Sequence, residues 1–252
     1  MIGNIQKYTL NIYADFSLLW KILIAIIGVC FLVMSSTTSK QNKGIAAIVS
    51  IGTIGISFIM SAGAYLVLQK PEFGSHSMYG VGVFVAIIAI ILVSYQKKYM
   101  AAIVLALNYS FFVFAFSYGN ALADQQRYTN FRTEILLQDL NNLFPNRNKN
   151  EMKIQLENSV GYAPSVANIA KSYPVIKNLV PRHLAGGGMW GIYYLVNYFN
   201  WGEKEMANHK FDPGSEKTFN DFATYDLPII FDSYYYSIKS DGERILVILK
   251  NE

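Results

Sequence analysis

The chain has 252 residues, 52% of them hydrophobic and only 15% charged, with a net charge of +4. A soluble domain of this size carries about 25% charged residues, and the shortfall is uneven: residues 1–119 hold seven Lys/Arg and two Asp/Glu, whereas residues 120–252 hold fourteen and fifteen. The positive surplus sits wholly in the apolar half, so it reports membrane topology rather than a nucleic-acid partner, and the lone Cys30 excludes an intrachain disulfide or a multi-cysteine zinc site.

Residues 1–15 mix polar and apolar side chains and read as a segment lying before the membrane; no signal-peptide cleavage site follows the first apolar stretch. A spanning helix needs about 20 apolar residues. Four stretches meet this, Phe16–Met34, Ile45–Leu68, Met78–Tyr95 and Met100–Tyr118, and Lys21 in the first can snorkel to the interface. The loop after the first span carries Lys40 and Lys43, and that after the third Lys97 and Lys98, neither with an acid. The positive-inside rule makes both cytoplasmic, so both chain ends lie outside and the large tail is extracytoplasmic. The small residues of the second span (Gly52, Gly55, Ser57, Ser61, Gly63) suit close helix packing, with a substrate path as the alternative.

The fourth span continues into a charged helix. Tyr128, Phe131, Ile135, Leu136, Leu140 and Leu143 form its apolar arc, while Arg127, Glu134 and Gln138 point away as a solvated face. Asp124, Gln125, Arg132 and Asp139 lie within the apolar arc, the last three seven residues apart along one line. Buried charge needs partners, so the ladder is either a structural network or a site for a charged ligand. At 1.5 Å per residue, Asp124 and Arg127 are expected at the level of lipid phosphates and Arg132 roughly 20 Å up.

The tail reads as α+β. "MKIQLE" (152–157) alternates as a half-buried strand, and "YYYSIKSDGERILVILK" (234–250) reads as a hairpin with Asp241-Gly242 in a type I′ turn. Ser165–Lys171 and Gly188–Phe199 look helical. Gly186, Gly187 and Gly188 lead into the second of these, a weak phosphate-cradle signal set against a plain turn. Arg182 and His183 upstream offer an anion site, and Trp190 and Tyr194 offer stacking surfaces for sugar rings or core packing. His76, His183 and His209 are too dispersed for a metal site. The expected architecture is therefore a pre-membrane segment (1–15), a four-helix transmembrane region (16–118) and a small α+β domain with an antiparallel sheet (119–252).

Two stretches carry a resemblance. "YGNALADQQRYTNFRTEILLQDLNNL" (118–143) and "DLPIIFDSYYYSIKSDGERILVILK" (226–250) are similar to the last part of the Gtr-type serotype-converting glucosyltransferases of bacterial O-antigen. The resemblance implies a multi-pass inner-membrane hexosyltransferase of the GT-C type. It would transfer glucose from a polyprenyl-phosphate carrier, undecaprenyl-phosphate glucose, to O-antigen polysaccharide on the periplasmic side, with no cofactor or metal assigned. Such enzymes have about twice as many spans and an acidic loop in their first half, so this chain reads as a compact member or a C-terminal portion. The family's general base then falls to Asp15, Glu72 or Asp124, and Arg127, Arg132, Arg182, His183, Trp190 and Tyr194 are the expected contacts for phosphate and sugar. The alternatives are a non-catalytic membrane-anchored glycan-binding or assembly module and, with little to couple transport in the spans beyond Lys21, a lipid-sugar flippase.

Overall fold

The computed structural model describes residues 2–69, 79–149, 152–186, 189–202 and 225–251, without the side chains of 189 and 190. These form two compact units, Met1–Asn120 with Asn168–Leu179, and Ala121–Ala167 with Val180–Glu252.

The first unit is helical. It comprises α1 (Ile2–Asp15), α2 (Leu18–Thr38), α3 (Lys43–Ser61), α4 (Tyr79–Ser94) and the opening half of α5 (Lys98–Leu143). Long apolar runs free of proline make α2 to α5, and two of the starts are capped: Ser17 Oγ accepts from Trp20 N at α2 and Asn42 Oδ1 from Gly44 N at α3. Three of them (α2, α3 and α5) are long and apolar enough to cross a bilayer, while α4 is apolar but 16 residues long. Where the second expected span runs on to Leu68, α3 stops at Ser61 and a 3-10 turn follows (Gly63–Leu66).

The mixed opening segment folds as α1 because Ile5, Tyr8 and Ile12 recur at helical spacing and pack into the helical core. Tyr8 Oη pairs with Ser61 Oγ at 3.1 Å, and Asn4 Nδ2 donates to the Leu66 and Leu68 carbonyls at 2.9 Å. Lys21 Nζ sits 4.0 Å over the Tyr13 ring, a cation–π contact. Close packing of the small residues is confined to one end of α3. A Cβ at Gly52, Gly55 or Gly63 would meet nothing, whereas one at Gly80 would overlap the Ser61 carbonyl. The approach that the sequence assigns to the α3 glycines is thus made by Gly80 of α4 against Ser61.

Residues Asn168–Leu179 belong to this unit as well. Tyr173 joins Phe16, Phe111 and Phe114 around Trp20, which is buried, and Tyr118 Oη donates to the Leu179 carbonyl at 3.4 Å.

The second unit has a four-stranded sheet in the order β1-β4-β3-β2, formed by β1 (Lys153–Glu157), β2 (Ile229–Asp232), β3 (Tyr236–Ser240) and β4 (Arg244–Leu249). Around it lie the end of α5 and α8 (Met189–Phe199), while α6 (Pro164–Ser172) runs across the boundary between the units and the single turn α7 (Ile176–Leu179) falls in the first. The core joins Leu136 and Leu140 of α5, Ile154 and Leu156 of β1, Leu195 of α8, Ile238 of β3, and Ile245 and Val247 of β4.

The sheet is mixed, which corrects the antiparallel expectation. β1 pairs parallel to β4, whereas β2–β3 and β3–β4 are antiparallel. A parallel pair needs a long crossover, and the stretch between β1 and β2 supplies it. The β3–β4 turn also differs from type I′, which needs two positive φ angles. Of its two central residues only Gly242 has one, and Asp241 Oδ1 instead accepts from the Glu243 and Arg244 amides at 3.0 and 2.9 Å. Gly186, first of the glycine run, lies against β1, where a Cβ would strike the Leu156 carbonyl. Its small size has a packing reason, which weakens the phosphate-cradle reading; Gly187 and Gly188 lie outside the described residues.

Candidate functional site

The inward ladder on α5 is built as its seven-residue spacing requires, but with partners the sequence does not reveal. Arg132 is buried at 1% exposure. It donates to Tyr128 Oη at 2.6 Å and to the Tyr235 and Lys250 carbonyls at 2.9 and 3.1 Å, with its guanidinium 4.3 Å from the Tyr235 ring centroid. Gln125 is equally enclosed: Oε1 accepts from the Ala163 amide at 2.9 Å, and Nε2 donates to the Gly161 carbonyl at 3.2 Å and Thr129 Oγ1 at 3.4 Å. Asp139 accepts from the Tyr236 hydroxyl, and burial together with this bond pushes the Tyr236 phenol well above its ordinary range. The ladder therefore ties α5 to β3, to both ends of the hairpin and to the loop before α6. Arg132, expected to contact substrate, is enclosed by this structural network.

Two further expectations about α5 are corrected. Phe131 is 48% exposed rather than part of the buried arc, because the buried stripe runs through Gln125, Thr129, Arg132, Thr133 and Leu136. Asp124 is half-exposed rather than turned inward and accepts from Arg127 Nη1 at 3.3 Å; the Arg127 side chain is 80% exposed. An exposed pair of this kind contributes little to stability.

A pocket of about 330 Å³ opens beside α5, lined by Leu122, Ala123, Gln125, Gln126, Pro181 and His183. Behind it three polar groups form a closed triangle. Gln126 Nε2 donates to Asn130 Oδ1 at 2.8 Å and to Tyr194 Oη at 3.1 Å, and Tyr194 Oη donates to Asn130 Oδ1 at 2.6 Å. Burial raises the Tyr194 phenol pKa against the lowering effect of the Gln126 bond, so the hydroxyl stays protonated and keeps donating. The His183 ring lies parallel to the Tyr194 ring, centroids 5.6 Å apart, and Tyr198 packs on the same tyrosine at 5.1 Å. Of the expected contacts, His183 and Tyr194 are thus brought together. Arg182 turns aside: Nη1 donates to Ser159 Oγ at 3.3 Å and the guanidinium lies 5.3 Å from the Tyr162 ring centroid. Trp190 lies in the first turn of α8, with its side chain outside the described residues.

In the first unit Asp15 ends α1. Its Oδ1 accepts from Asn178 Nδ2 at 2.8 Å, and its carbonyl accepts from the Val175 amide at 3.1 Å. Burial raises the carboxyl pKa, and the Asn178 bond offsets part of that rise. A desolvated carboxylate oriented by a carboxamide has the features of a general base. Glu72, the other outer acid, lies outside the described residues.

Set against protein-family models, curated proteins and solved structures, the chain matches none of them. The chemistry of the residues themselves therefore carries the functional argument. Among the described residues no group of three His, Cys, Asp or Glu is arranged to hold a metal ion.

Sequence reasoning missed Gln126, Asn130 and Asn178. The first two sit at i and i+4 on α5, a spacing that brings amides together on a helix, and this was the available signal. Asn178 pairs with a residue far away in the chain, for which the sequence carries no signal.

Proposed function

We propose that this chain is a membrane-embedded hexosyltransferase of the GT-C type, or the C-terminal portion of one, in the bacterial inner membrane. It takes glucose from a polyprenyl-phosphate carrier and adds it to O-antigen or a related surface polysaccharide on the periplasmic side. The observation that carries this reading is Asp15, a half-buried carboxylate held by Asn178 and followed at once by the first long apolar helix. Asp15 takes the proton from an acceptor hydroxyl, whose oxygen then bonds to the anomeric carbon. The bond from that carbon to the phosphate oxygen breaks, and the electron pair leaves on the lipid phosphate. The membrane part of the proposal is supported by the outward side chains of the apolar helices, such as Ile48, Ile56 and Ile90, which are 66–72% exposed.

The test uses membranes containing the chain, radiolabelled polyprenyl-phosphate glucose and O-antigen. Transfer is expected, with Asp15→Asn lowering its rate by about 10²-fold or more. Its acidic limb should lie above 3.8, the ordinary value for an aspartate, because the raised pKa keeps the base protonated to higher pH. Absence of transfer by the unaltered chain, alone or within a longer native protein, sinks the reading.

A second reading, a non-catalytic membrane-anchored glycan-binding or assembly module, is favoured by the pocket beside α5, whose lining contains no carboxylate among the described residues. On that reading glycan binding survives the combined changes Asp15→Asn, Glu72→Gln and Asp124→Asn, and no sugar is transferred.

A further inference from the structure

Adjacent glutamines on α5 have opposite surroundings. The Gln125 amide is fully occupied by the Ala163 amide, the Gly161 carbonyl and Thr129 Oγ1, and it forms part of the pocket's wall. The Gln126 amide is held from one side only. Both of its bonds are donated by Nε2, to Asn130 Oδ1 and Tyr194 Oη, and this fixes which way the amide points. Its Oε1 accepts from no partner among the described residues, while the side chain lines a 330 Å³ pocket. That volume is at the lower end of the roughly 300–1,000 Å³ typical of small-ligand sites.

The rest of the pocket narrows the ligand class. His183 supplies ring nitrogens that take no partner among the described residues, on a ring braced by Tyr194, and Leu122, Ala123 and Pro181 supply apolar surface. Among the described residues no carboxylate, lysine or arginine lines it. The nearby Arg182 is directed to Ser159 and Tyr162, and Arg127 to Asp124. A phosphate here would lack the charged, forked donors that anion sites use. A neutral ligand that presents hydroxyls on its edge and C–H groups on its faces matches the lining.

We propose that this pocket is a subsite for a single uncharged pyranose residue. Gln126 Oε1 accepts from a sugar hydroxyl, His183 exchanges a hydrogen bond with a neighbouring one, and the apolar wall receives the C–H face. Asn130 and Tyr194 are positioning residues, because they hold the Gln126 amide and the His183 ring and line none of the pocket themselves. Taken as the acceptor-glycan end of the transfer reaction, the assignment rests on the glycosyltransferase reading; as a binding site it stands without it.

The experiment uses the full chain in detergent micelles, with methyl glucoside, galactoside, mannoside and rhamnoside as probes and inorganic phosphate as the contrast. Saturation transfer from protein to the ring protons of at least one pyranoside is expected. It should fall at least fivefold in Gln126→Leu and His183→Ala and remain in Glu134→Gln on the solvated face. Tyr194→Phe should weaken it and shift the His183 ring resonances, whereas a tyrosine that served only in the core would leave those resonances in place. Circular dichroism identical to that of the unaltered chain shows that each variant is folded; if Gln126→Leu fails this control, Gln126→Met, of nearly the same length and without the acceptor oxygen, replaces it. The subsite is overturned if no pyranoside receives saturation, if the signal persists in both lining variants, or if phosphate shifts His183 and the pyranosides do not. Pyranoside binding without glucose transfer overturns the enzyme alone, and transfer with an empty pocket overturns the subsite alone.

Discussion

The two units satisfy their polar groups by opposite means. In the first, backbone groups are met within helices, the outward face is apolar, and side-chain bonds are mostly short-range returns such as Ser36 Oγ to the Leu32 carbonyl and Thr53 Oγ1 to the Val49 carbonyl. In the second, the interior itself holds polar groups, and Gln125, Thr129, Arg132 and Thr133 are all 2% exposed or less. An apolar surrounding penalises every backbone group left without a partner, which favours helices. A core that borders water can admit a buried guanidinium whose terminal nitrogens donate to carbonyls and a hydroxyl. The contrast predicts that the second unit fails through lost hydrogen bonds and the first through lost fit.

The largest effect is expected from Arg132→Ala. It removes the Arg132 donors from the part-buried Tyr235 and Lys250 carbonyls and from the Tyr128 hydroxyl, and should cost about 3 kcal/mol or more. Thermal unfolding followed by tyrosine and tryptophan fluorescence would measure it. A loss below about 1 kcal/mol would show that the network is dispensable. Gly80→Val comes next: the added atoms collide with the Ser61 carbonyl, and overpacking of this sort costs about 1–3 kcal/mol. The same change at Gly55, where a Cβ meets open space, should leave the melting curve in place and isolates the effect of fit. The last expectation concerns Tyr236 and is read at alkaline pH. The folded state holds its proton more tightly than the unfolded chain does, so its contribution is intact below the ordinary tyrosine value of 10.0 and is lost as pH rises beyond it. Tyr236→Phe should therefore flatten the alkaline decline seen in pH-resolved melting, and an unchanged decline would count against the bond to Asp139.

The legible parts of this fold were those with a strong local period. The apolar runs of α2, α3, α4 and α5 declare themselves, as do the Gln125–Arg132–Asp139 line and the hairpin. Illegible parts depended on distant partners. The acceptors of Arg132 are the carbonyls of Tyr235 and Lys250, more than a hundred residues on, and no side-chain pattern reports a carbonyl. β2 escaped because its four residues follow Pro228 and none is fully buried, so no alternation marks it. Parallel pairing of β1 escaped because a single strand carries no signature of its partner's direction. α1 was passed over for want of a long apolar run, although Ile5, Tyr8 and Ile12 share a face. At the pocket, the aromatic and basic residues were legible and the amides were not, since glutamine and asparagine on a helix surface resemble any solvated face.

The place of β4 has a consequence for biosynthesis. It is the strand that joins β1 to the β2–β3 pair, yet it is the last of the four to be made. While the ribosome is still synthesising the stretch before it, β1 has an open edge and the guanidinium of Arg132 awaits both of its carbonyls. The nascent second unit must pass through a stage in which a charged, half-assembled interior is exposed, and a holding chaperone or rapid translation of residues 225–250 would shorten that exposure.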